Sequence, residues 1–363
     1  MNKFLLAIKL SSDIVTNIFT KKKIILISEG ANWVINEECK NIKNFLKFYN
    51  NTSVKISITP TGVKNKVIHF FSVNTFIDKN GIKNNKFPHN IHTSNKIILT
   101  WFHISEEDNY RLKYIPYLND VVDFVHTASE ITKNKLIEHG LNPEKIVLIP
   151  LGVDTTIFKP VSPEKKERLR NELDLPSGSI IIGSFQKDGN GWGEGLEPKL
   201  IKGPDIFCDV VEKLSKHHKI HILLTGPSRG YVKKRLSDAN IPYTHIYLKN
   251  YFDVVSYYQV LDLYLICSRE EGGPKALLET MATGIPLVST RVGMVPEVIE
   301  DSVGGLLCNI EDIDKISKKA SSIITNEELK KDLINNSLIK IKEFDVKKIG
   351  KKFYKLYNNL SNR

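Results

Sequence analysis

The sequence predicts an α/β protein made of two doubly wound domains, and three features of the chain lead to that prediction. Its 363 residues exceed the size at which one hydrophobic core stops growing, so two domains are expected. In both halves, short runs rich in Ile and Val alternate with stretches of helical periodicity. Runs that are apolar throughout are typical of parallel strands covered on both faces. Their alternation with helices indicates parallel βαβ units in each half.

The predicted strands form two series, separated by a segment rich in Gly and Pro. They lie at 24–28, 67–73, 97–104 and 124–129, and then at 180–185, 220–226, 244–248, 261–268 and 285–290. In the intervening residues 149–179, a charged helix is predicted to begin near Ser162. We predict domains at 1–155 and 156–340, with a hinge near Gly152 to Pro160. Two such sheets facing each other would leave a cleft at the carboxyl ends of their strands, where ligands of these folds bind.

The start of the chain has the periodicity of an amphipathic helix. The apolar positions that recur at roughly helical spacing are Phe4, Ile8, Val15 and Phe19. Lys9 and Asp13 interrupt the apolar run, so a signal peptide is not predicted. We expect this helix to pack on the protein, with contact to a membrane as the alternative.

Residues 341–363 are predicted to form a closing helix that crosses back to the first domain. Its apolar positions are Val346, Ile349, Phe353, Leu356 and Leu360. Lysines occupy the other faces, at Lys347, Lys348, Lys351, Lys352 and Lys355. Such a basic face is usually solvated, and peripheral contact with an anionic membrane is the alternative.

The chain carries a net charge of +11 and has a pI near 9.2, which favours anionic partners. Nucleic acid, phosphorylated ligands and anionic membranes all fit, and charge alone does not choose among them. Lysines scattered over solvated helix faces also explain the excess of positive charge. A nucleic-acid partner is not expected, since the sequence shows neither a recognisable motif nor basic residues interleaved with aromatic ones.

Cysteine usage and hydropathy indicate a cytoplasmic protein. Four cysteines lie far apart and form no C-x-x-C pair, so neither a zinc site nor a disulfide framework is predicted. We find no acidic triplet typical of a metal site and no segment long and apolar enough to span a bilayer.

The stretch EEGGPKALLETMATGIP, residues 270–286, combines the features of an anion site. A predicted strand ends at Ser268, and a helix is predicted from Pro274 to Thr283, with Gly284 as its stop. The first amides of that helix would bind an anion, and two glycines before it would let a ligand approach the backbone closely. The pattern predicts a diphosphate-binding loop, with an ordinary strand-to-helix turn as the alternative.

Two carboxylates, Glu271 and Glu279, flank the start of this helix. Helical rise places them up to ~12 Å apart. A glycosidase acid/base pair would need about 5 Å for retention and less than about 10 Å for inversion. They therefore fit better as contacts to the two ends of an extended ligand, one to a sugar and the other to a ribose. The alternative for Glu279 is that it merely faces solvent.

The spacing from Glu271 to Glu279 resembles the E-x7-E motif of retaining glycosyltransferases of the GT-B fold, family 4 (glycosyl transferases group 1). Residues 128–160 resemble the interdomain signature of that family, and LLTGPSRG, KGPD (Lys202 to Asp205) and the terminal helix follow in family order. The resemblance covers about residues 95–360 and is strongest over 261–300. It implies two Rossmann-like domains, with the acceptor bound by the first and a nucleotide sugar by the second.

The resemblance also implies roles for individual residues. Glu271 would contact the donor sugar, Glu279 would hold the ribose, and Lys202 would hold the diphosphate. Ser184 stands where the family has a second phosphate-binding group, an arginine, and we take Lys187 as the substitute. The residues assigned to donor binding are Lys187, Lys202, Gly272, Gly273, Pro274, Lys275, Ala276, Leu277, Glu279 and Gly30. Those assigned to catalysis are Glu271, His103 and Lys202.

Three of these assignments keep alternatives. His103, at the end of a predicted strand, matches a family histidine that reaches the donor sugar, although a lone histidine there is more often structural. Gly30, after the first strand, would allow close approach of a diphosphate or acceptor, and a tight turn explains it equally well. If Lys187 is not the second phosphate ligand, Arg229 or Lys275 would be.

The predicted activity is transfer of a sugar to an acceptor hydroxyl with retention of anomeric configuration. In the family the leaving phosphate takes the acceptor proton, and no metal or other cofactor is required. The acceptor is expected to be a glycan or a lipid-linked molecule, in cell-surface glycan or glycolipid synthesis at the inner face of the cytoplasmic membrane. The rival prediction is a non-catalytic nucleotide-sugar or glycan-binding protein on a degenerate scaffold.

Overall fold

The computed structural model describes residues 3–21, 23–30, 34–50, 52–77, 91–105, 108–191 and 193–361. The chain forms two compact units, one of Met1–Leu151 with Val346–Arg363 and one of Gly152–Asp345. Each contains a six-stranded parallel sheet with helices around it. The predicted α/β class with two doubly wound units is confirmed.

The sheet of the first unit has the strand order β2-β1-β3-β4-β5-β6. Its strands are β1 Ile24–Ile27, β2 Val54–Ser57, β3 Val67–Phe70, β4 Lys96–Thr100, β5 Phe124–Thr127 and β6 Ile146–Leu148. Its first helices are α1 Lys3–Ile18, α2 Val34–Asn50, α3 Val73–Phe76, α4 Asn109–Leu112, α5 Leu118–Val121 and α6 Glu130–Glu138, with a 3-10 turn at Pro143–Lys145. Successive residues of β1 join different apolar clusters, Ile25 and Ile27 one and Ile24 and Leu26 the other. Burial on both faces explains why this strand is apolar throughout.

The sheet of the second unit has the order β12-β11-β10-β7-β8-β9. Its strands are β7 Ile180–Phe185, β8 Ile220–Thr225, β9 Tyr243–Ile246, β10 Leu263–Ile266, β11 Leu287–Thr290 and β12 Leu306–Cys308. Its helices are α7 Pro163–Glu172, α8 Pro204–Ser215, α9 Gly230–Asp238, α10 Val254–Gln259, α11 Lys275–Ala282, α12 Val295–Val298, α13 Ile313–Thr325 and α14 Glu327–Lys340, with 3-10 turns at Leu200–Lys202, Tyr251–Asp253 and Ile341–Phe344. The strand order reverses between β7 and β10, which places the switch point of this unit between them.

Every predicted strand overlaps an observed one, and the sequence missed β2, β6 and β12. Strand β2 is buried only at its two ends, while β6 is half-buried along its length, so neither is a continuous apolar run. Strands β6 and β12 have three residues each, too few to show a period. The predicted strand at 67–73 stops early because Ser72 accepts a hydrogen bond from the amide of Asn74 and caps α3.

Two segments link the units, at the start and at the end of the second one. The amide of Val153 donates to the carbonyl of Phe344 (2.9 Å), and Thr155 donates to Asp345 (2.5 Å). The charged helix predicted near Ser162 is confirmed, since Ser162 caps α7. The unit boundary observed after Leu151 lies four residues before the predicted end of the first domain at residue 155.

The last helix, α15 Val346–Ser361, belongs to the first unit. It begins later than predicted, because Ile341–Phe344 form a 3-10 turn of the second unit. The apolar face is confirmed, with Ile349, Phe353, Leu356 and Leu360 buried in one cluster. Gly350 lies so close to α2 that an added Cβ would be 2.3 Å from the ring of Phe45. The helix is therefore part of the core of the first unit.

The prediction that the first helix packs its apolar face on the protein is wrong. Ile8, Val15 and Phe19 are exposed, and α1 is held instead by the polar side chains of Asp13 and Asn17. Across the part of the chain that the structure describes, no helix is both long and apolar enough to cross a membrane.

Candidate active site

The second unit brings two loops together at the carboxyl ends of β7 and β10, the neighbouring strands at its switch point. Lys202 ends the first loop, and Glu271 lies in the second. The Nζ atom of Lys202 is 2.7 Å from Oε2 of Glu271. The hydroxyl of buried Ser268 donates to Oε1 of the same carboxylate (2.9 Å). Two residues predicted for one site are therefore in direct contact, and both side chains remain partly accessible.

Lys202 is placed by the glycine that follows it. Gly203 adopts a left-handed conformation with φ 62° and caps α8, and a Cβ there would lie 1.9 Å from the carbonyl oxygen of Cys267. The side chain of Gln186 donates to the carbonyl of Lys202 (3.1 Å). No other residue type fits at Gly203 without moving β10, which accounts for the Lys-Gly pair in the sequence.

An ion pair that the sequence analysis missed joins the same two loops. Arg269 makes two parallel hydrogen bonds to Asp205, of 2.8 and 2.7 Å. The amides of Arg269 and Glu270 both donate to the carbonyl of Ile201, at 2.9 and 3.1 Å. Burial raises the pKa of Asp205, but the hydrogen bonds and charge of Arg269 outweigh it and lower that pKa. Arg269 thus holds the loop that contains Glu271 against the segment that contains Lys202.

The helix predicted at the anion site is α11, and it begins at Lys275 rather than Pro274. Pro274 has a ψ of 111°, outside the helical range, and is the N-cap residue. The amide of Leu277 donates to the carbonyl of Pro274 (3.0 Å), and Ala276 lies in the first turn. Gly284, with φ 69°, follows the last turn as predicted.

The glycine loop before α11 is supported from the side by the loop after β11. The amide of Met294 donates to the carbonyl of Gly272 (3.1 Å). Gly293 has φ 50°, and a Cβ there would lie 2.5 Å from the oxygen of Gly272 and 2.7 Å from that of Glu271. The backbone at Gly272 and Gly273 is therefore held in position from a separate loop.

Glu279 does not face solvent, so that alternative is wrong. It is buried within α11, and the hydroxyls of Tyr251 and Tyr258 each donate to one of its carboxylate oxygens, Tyr258 at 2.8 Å. Tyr258 is fully buried, and burial, followed by the nearby Glu279 charge, raises the pKa of its phenol well above the usual value. Tyr251 is only half-buried. A ligand hydroxyl would reach this carboxylate on the Tyr251 side.

Three lysines gather near Glu271, one of which the sequence analysis did not single out. The amide of Lys199 donates to the carbonyl of Asp188 (2.7 Å), and the amide of Lys202 donates to the carbonyl of Lys199 (2.8 Å). Burial first, and then the charges of Lys202 and Lys187, lower the pKa of Lys199, while Glu271 and Glu270 oppose the shift. Burial also lowers the pKa of Lys187. The long segment between β7 and Lys202 thus supplies extra positive charge.

Arg229 lies beside Ser184 but is not available to a ligand. Its guanidinium is fully buried and donates to the carbonyls of Ser184, Gln186 and Thr225, at 2.7, 2.8 and 3.0 Å. Its Nε is 3.0 Å from the buried carboxylate of Asp188, whose pKa is raised by burial despite this cation. Arg229 holds the backbone before Lys187 and the side chain of Asp188 after it, and the alternative that it binds phosphate is wrong.

The side chain of Lys275 is also engaged elsewhere. Its buried ammonium donates to the carbonyl of Gly152 at 2.6 Å, close to the segment that enters the second unit. The alternative that the ammonium of Lys275 is the second phosphate ligand is therefore wrong. Its assignment to donor binding through the start of α11 is a separate matter and remains a prediction.

His103 and Gly30 belong to the first unit. His103 does not end a strand, because β4 ends at Thr100. The hydroxyl of Thr100 is hydrogen-bonded to buried His69 (2.7 Å) and His126 (2.9 Å). His103 is exposed, and its carbonyl accepts a hydrogen bond from the indole of Trp101 (3.0 Å). Gly30 has φ 73°, as a tight turn after β1 requires, and residues 31–33 of the same loop lie outside the described residues.

Comparison with known families settles the class of protein. Residues 196–338 match the family described as Glycosyl transferases group 1. The second unit thus contains a segment that matches glycosyltransferases of this description. The matched segment runs from the loop before Lys202 to α14, and so contains Glu271, Glu279 and the glycine loop.

Two relatives of this glycosyltransferase illustrate the extent of the likeness. It is 28% identical over 279 residues to an uncharacterized glycosyltransferase of Methanocaldococcus jannaschii, covering 76% of this chain and 69% of the relative. It is 27% identical over 209 residues to the D-inositol 3-phosphate glycosyltransferase of Corynebacterium kroppenstedtii, covering 53% of this chain and 44% of the relative. The chain thus aligns with less than half of the second protein.

Among solved structures, Anabaena HepE in complex with UDP-glucose superimposes with a TM-score of 0.74. The alignment covers 93% of this chain and 99% of that one, at 16% identity. At this identity the likeness shows the fold alone, and the fold is GT-B.

Proposed function

We propose that this glycosyltransferase moves a sugar from a nucleoside diphosphate to an acceptor hydroxyl with retention of anomeric configuration. The observation that carries the proposal is the contact between Lys202 and Glu271 at the switch point of the second unit. This contact supports the proposal, because a cation that would stabilise a leaving diphosphate lies beside a carboxylate that would hold sugar hydroxyls. Ligands of open α/β sheets bind at this position, outside the carboxyl ends of the strands.

Diphosphate binding is assigned to the lysines and to the start of α11. As the bond between the anomeric carbon and the phosphate oxygen breaks, negative charge grows on the diphosphate. Lys202, with Lys187 and Lys199 beside it, would stabilise that charge. The first-turn amides at Ala276 and Leu277, with the positive end of the helix dipole, would add to this effect. Leu277 would exchange its bond to Pro274 for one to phosphate.

The two carboxylates bind opposite ends of the donor in this proposal. Glu271 would accept hydrogen bonds from the sugar while Lys202 turns to the diphosphate. Glu279 would accept a hydrogen bond from the ribose in place of the one from Tyr251. The glycines at 272 and 273 would let the diphosphate lie against the backbone between them.

The acceptor is assigned to the first unit, together with His103 and Gly30. The acceptor oxygen forms the new bond to the anomeric carbon, and its proton goes to the departing diphosphate on the same face. No carboxylate base and no metal are needed in this scheme, because lysines and amide dipoles stabilise the charge. A glycan or lipid-linked acceptor, used in cell-surface glycan or glycolipid synthesis, completes the proposal.

A thermal-shift panel of UDP-, GDP- and ADP-sugars, followed by a transfer assay with the best donor, tests the proposal. A donor at a hundred times its Kd should raise the free energy of unfolding by about 2.7 kcal/mol. Lys202→Ala should lose most of the shift, whereas Lys216→Ala, which removes an exposed lysine of the same unit, should keep it. If a donor binds and no acceptor is ever glycosylated, the protein is a binding module and the transfer proposal is wrong.

A further inference from the structure

Helix α1 is attached to the first unit through polar contacts on one of its faces. The amide of Ile58 donates to the carboxylate of Asp13 at 2.9 Å. The side-chain amide of buried Asn17 donates to the carbonyls of Thr59 and Thr61, at 2.9 and 3.0 Å. These bonds hold the second half of α1 against the segment that follows β2, the outer strand of its sheet.

The opposite face of α1, continued by Phe19 just beyond its end, is a row of exposed apolar side chains. Its members and their exposed fractions are Leu5 55%, Ile8 52%, Val15 56% and Phe19 78%. Their spacing places them on one side of the helix, roughly opposite Asp13 and Asn17. Because the polar face is bound to the protein, this row points away from it. We call it the outer row.

The contrast with α15 shows that the outer row is not an ordinary solvated face. On α15 the apolar residues, among them Phe353 and Leu356, are buried in the core, and the lysines face solvent. On α1, Asp13 and Asn17 contact the protein and Ile14 is half-buried, whereas Leu6, Leu10 and Ile18 are exposed together with the outer row. A helix that exposes this many apolar side chains marks an interaction site.

The charge around the outer row indicates what covers it. Exposed Lys9 lies on α1, and exposed Lys21 and Lys23 follow it. Asp13 is the only acidic residue in the sequence of α1, and its carboxylate is engaged with the amide of Ile58. A second copy of this chain would bring lysines against lysines. An anionic lipid surface complements both the apolar row and the positive charge.

We propose that α1 docks this protein on an anionic membrane, lying in the interface plane with the outer row in the acyl boundary and the lysines at the headgroups. The basic face of α15 is then a solvated surface. The proposal goes beyond the transfer reaction, because it requires neither donor nor acceptor and concerns a surface of the first unit alone.

Sedimentation with phosphatidylcholine vesicles, with and without phosphatidylglycerol, tests this directly on the full chain. The protein should sediment with the anionic vesicles and largely stay in solution with the neutral ones. Ile8→Glu combined with Phe19→Glu should weaken vesicle binding by about tenfold or more, since charged groups replace two inserted apolar side chains. Lys9→Gln combined with Lys21→Gln should weaken it by a smaller factor that shrinks with added salt.

Ile339→Glu is the matched control, because Ile339 is 67% exposed on a helix of the second unit. This variant should bind vesicles like the wild type, and all variants should unfold at similar temperatures. The proposal is overturned if the wild type ignores anionic vesicles, or if the Ile8/Phe19 variant binds them as well as the control. It is also overturned if light scattering shows a dimer that the Ile8/Phe19 variant abolishes. Transfer to a soluble acceptor, measured without vesicles, reports separately on the reaction.

Discussion

Glu271 and Glu279 lie on one βα unit, yet their surroundings differ. Glu271 lies in the loop before α11, partly accessible, where it pairs with Lys202 from another loop. Glu279 lies inside α11, buried beneath two tyrosine hydroxyls and next to an aromatic cluster of Phe158, Phe185 and Tyr258. The first contact can open when a ligand arrives, because neither partner is fixed by burial. The second carboxylate is buried and already accepts two hydrogen bonds, so the difference predicts separate roles in turnover and in binding.

The largest expected effect is on turnover. Lys202→Ala should lower kcat by a factor corresponding to about 2 to 4 kcal/mol, the usual loss for one preorganised electrostatic contact. Glu271→Ala should also lower kcat while leaving nucleotide affinity nearly unchanged, because it misplaces only the sugar. Steady-state kinetics and nucleotide titration separate these effects, with Lys216→Ala as control. Wild-type turnover in Glu271→Ala would remove the distinction between the two carboxylates.

A smaller effect is expected at the buried carboxylate, and on binding rather than on chemistry. Glu279→Ala should weaken nucleotide binding and also destabilise the unit, because it leaves the hydroxyl of buried Tyr258 without this acceptor, at a cost of about 1 to 3 kcal/mol. Calorimetric titration with the free nucleoside diphosphate and thermal unfolding measure the two effects. Glu300→Ala, an exposed glutamate of the same unit, should change neither. Unchanged nucleotide affinity in a folded Glu279→Ala protein would contradict the ribose assignment.

The lysine cluster gives a still smaller, pH-dependent effect. Because the pKa of Lys199 is lowered, this side chain loses its proton at a lower pH than an ordinary lysine. Donor affinity should therefore fall as pH rises through that lowered pKa, and Lys199→Ala should remove this part of the pH dependence at a cost of several-fold in affinity. Lys187→Ala run in parallel identifies which lysine replaces the family arginine. If both variants match the wild type at every pH, the second phosphate ligand lies elsewhere.

The smallest expected effect is that of a chelator. If lysines and amide dipoles stabilise the leaving diphosphate, EDTA should leave the rate of transfer largely unchanged. The assay needs dialysed enzyme and a matched reaction with added Mg²⁺. Loss of activity that Mg²⁺ restores would show that the charge stabilisation lies outside the Lys202 and α11 contacts.

The sequence was sufficient for the fold, and the family resemblance was sufficient to assign Lys202 and Glu271 to one site, but neither predicted their direct contact. Continuous apolar runs mark strands buried on two faces, and the Glu-Gly-Gly segment follows such a strand. It was not sufficient for Arg269 with Asp205, for Lys199, or for the tyrosines at Glu279. These contacts join segments far apart in the chain, and the residue types involved are common on surfaces.

The outer row on α1 shows a second feature that the sequence did not predict, namely which face of a helix contacts the protein. Helical periodicity correctly indicated an amphipathic helix there and at α15, but it does not say which face meets the protein. On α15 the apolar face contacts the protein because its side chains are buried in the core. On α1 the face that contacts the protein is the one with Asp13 and Asn17, because these side chains form hydrogen bonds to it. Which face of α1 contacts the protein depends on hydrogen-bond partners in the segment after β2, and no local sequence pattern reveals them.

The anomeric configuration of the product tests the central claim most directly. With an α-linked donor and an accepted acceptor, proton NMR of the first product formed should show an α linkage, since the acceptor attacks on the face that the diphosphate leaves. The Glu271→Ala enzyme should form the same anomer more slowly, because Glu271 orients the sugar and does not take part in covalent bonding. A β-linked product from the wild-type enzyme would contradict the account.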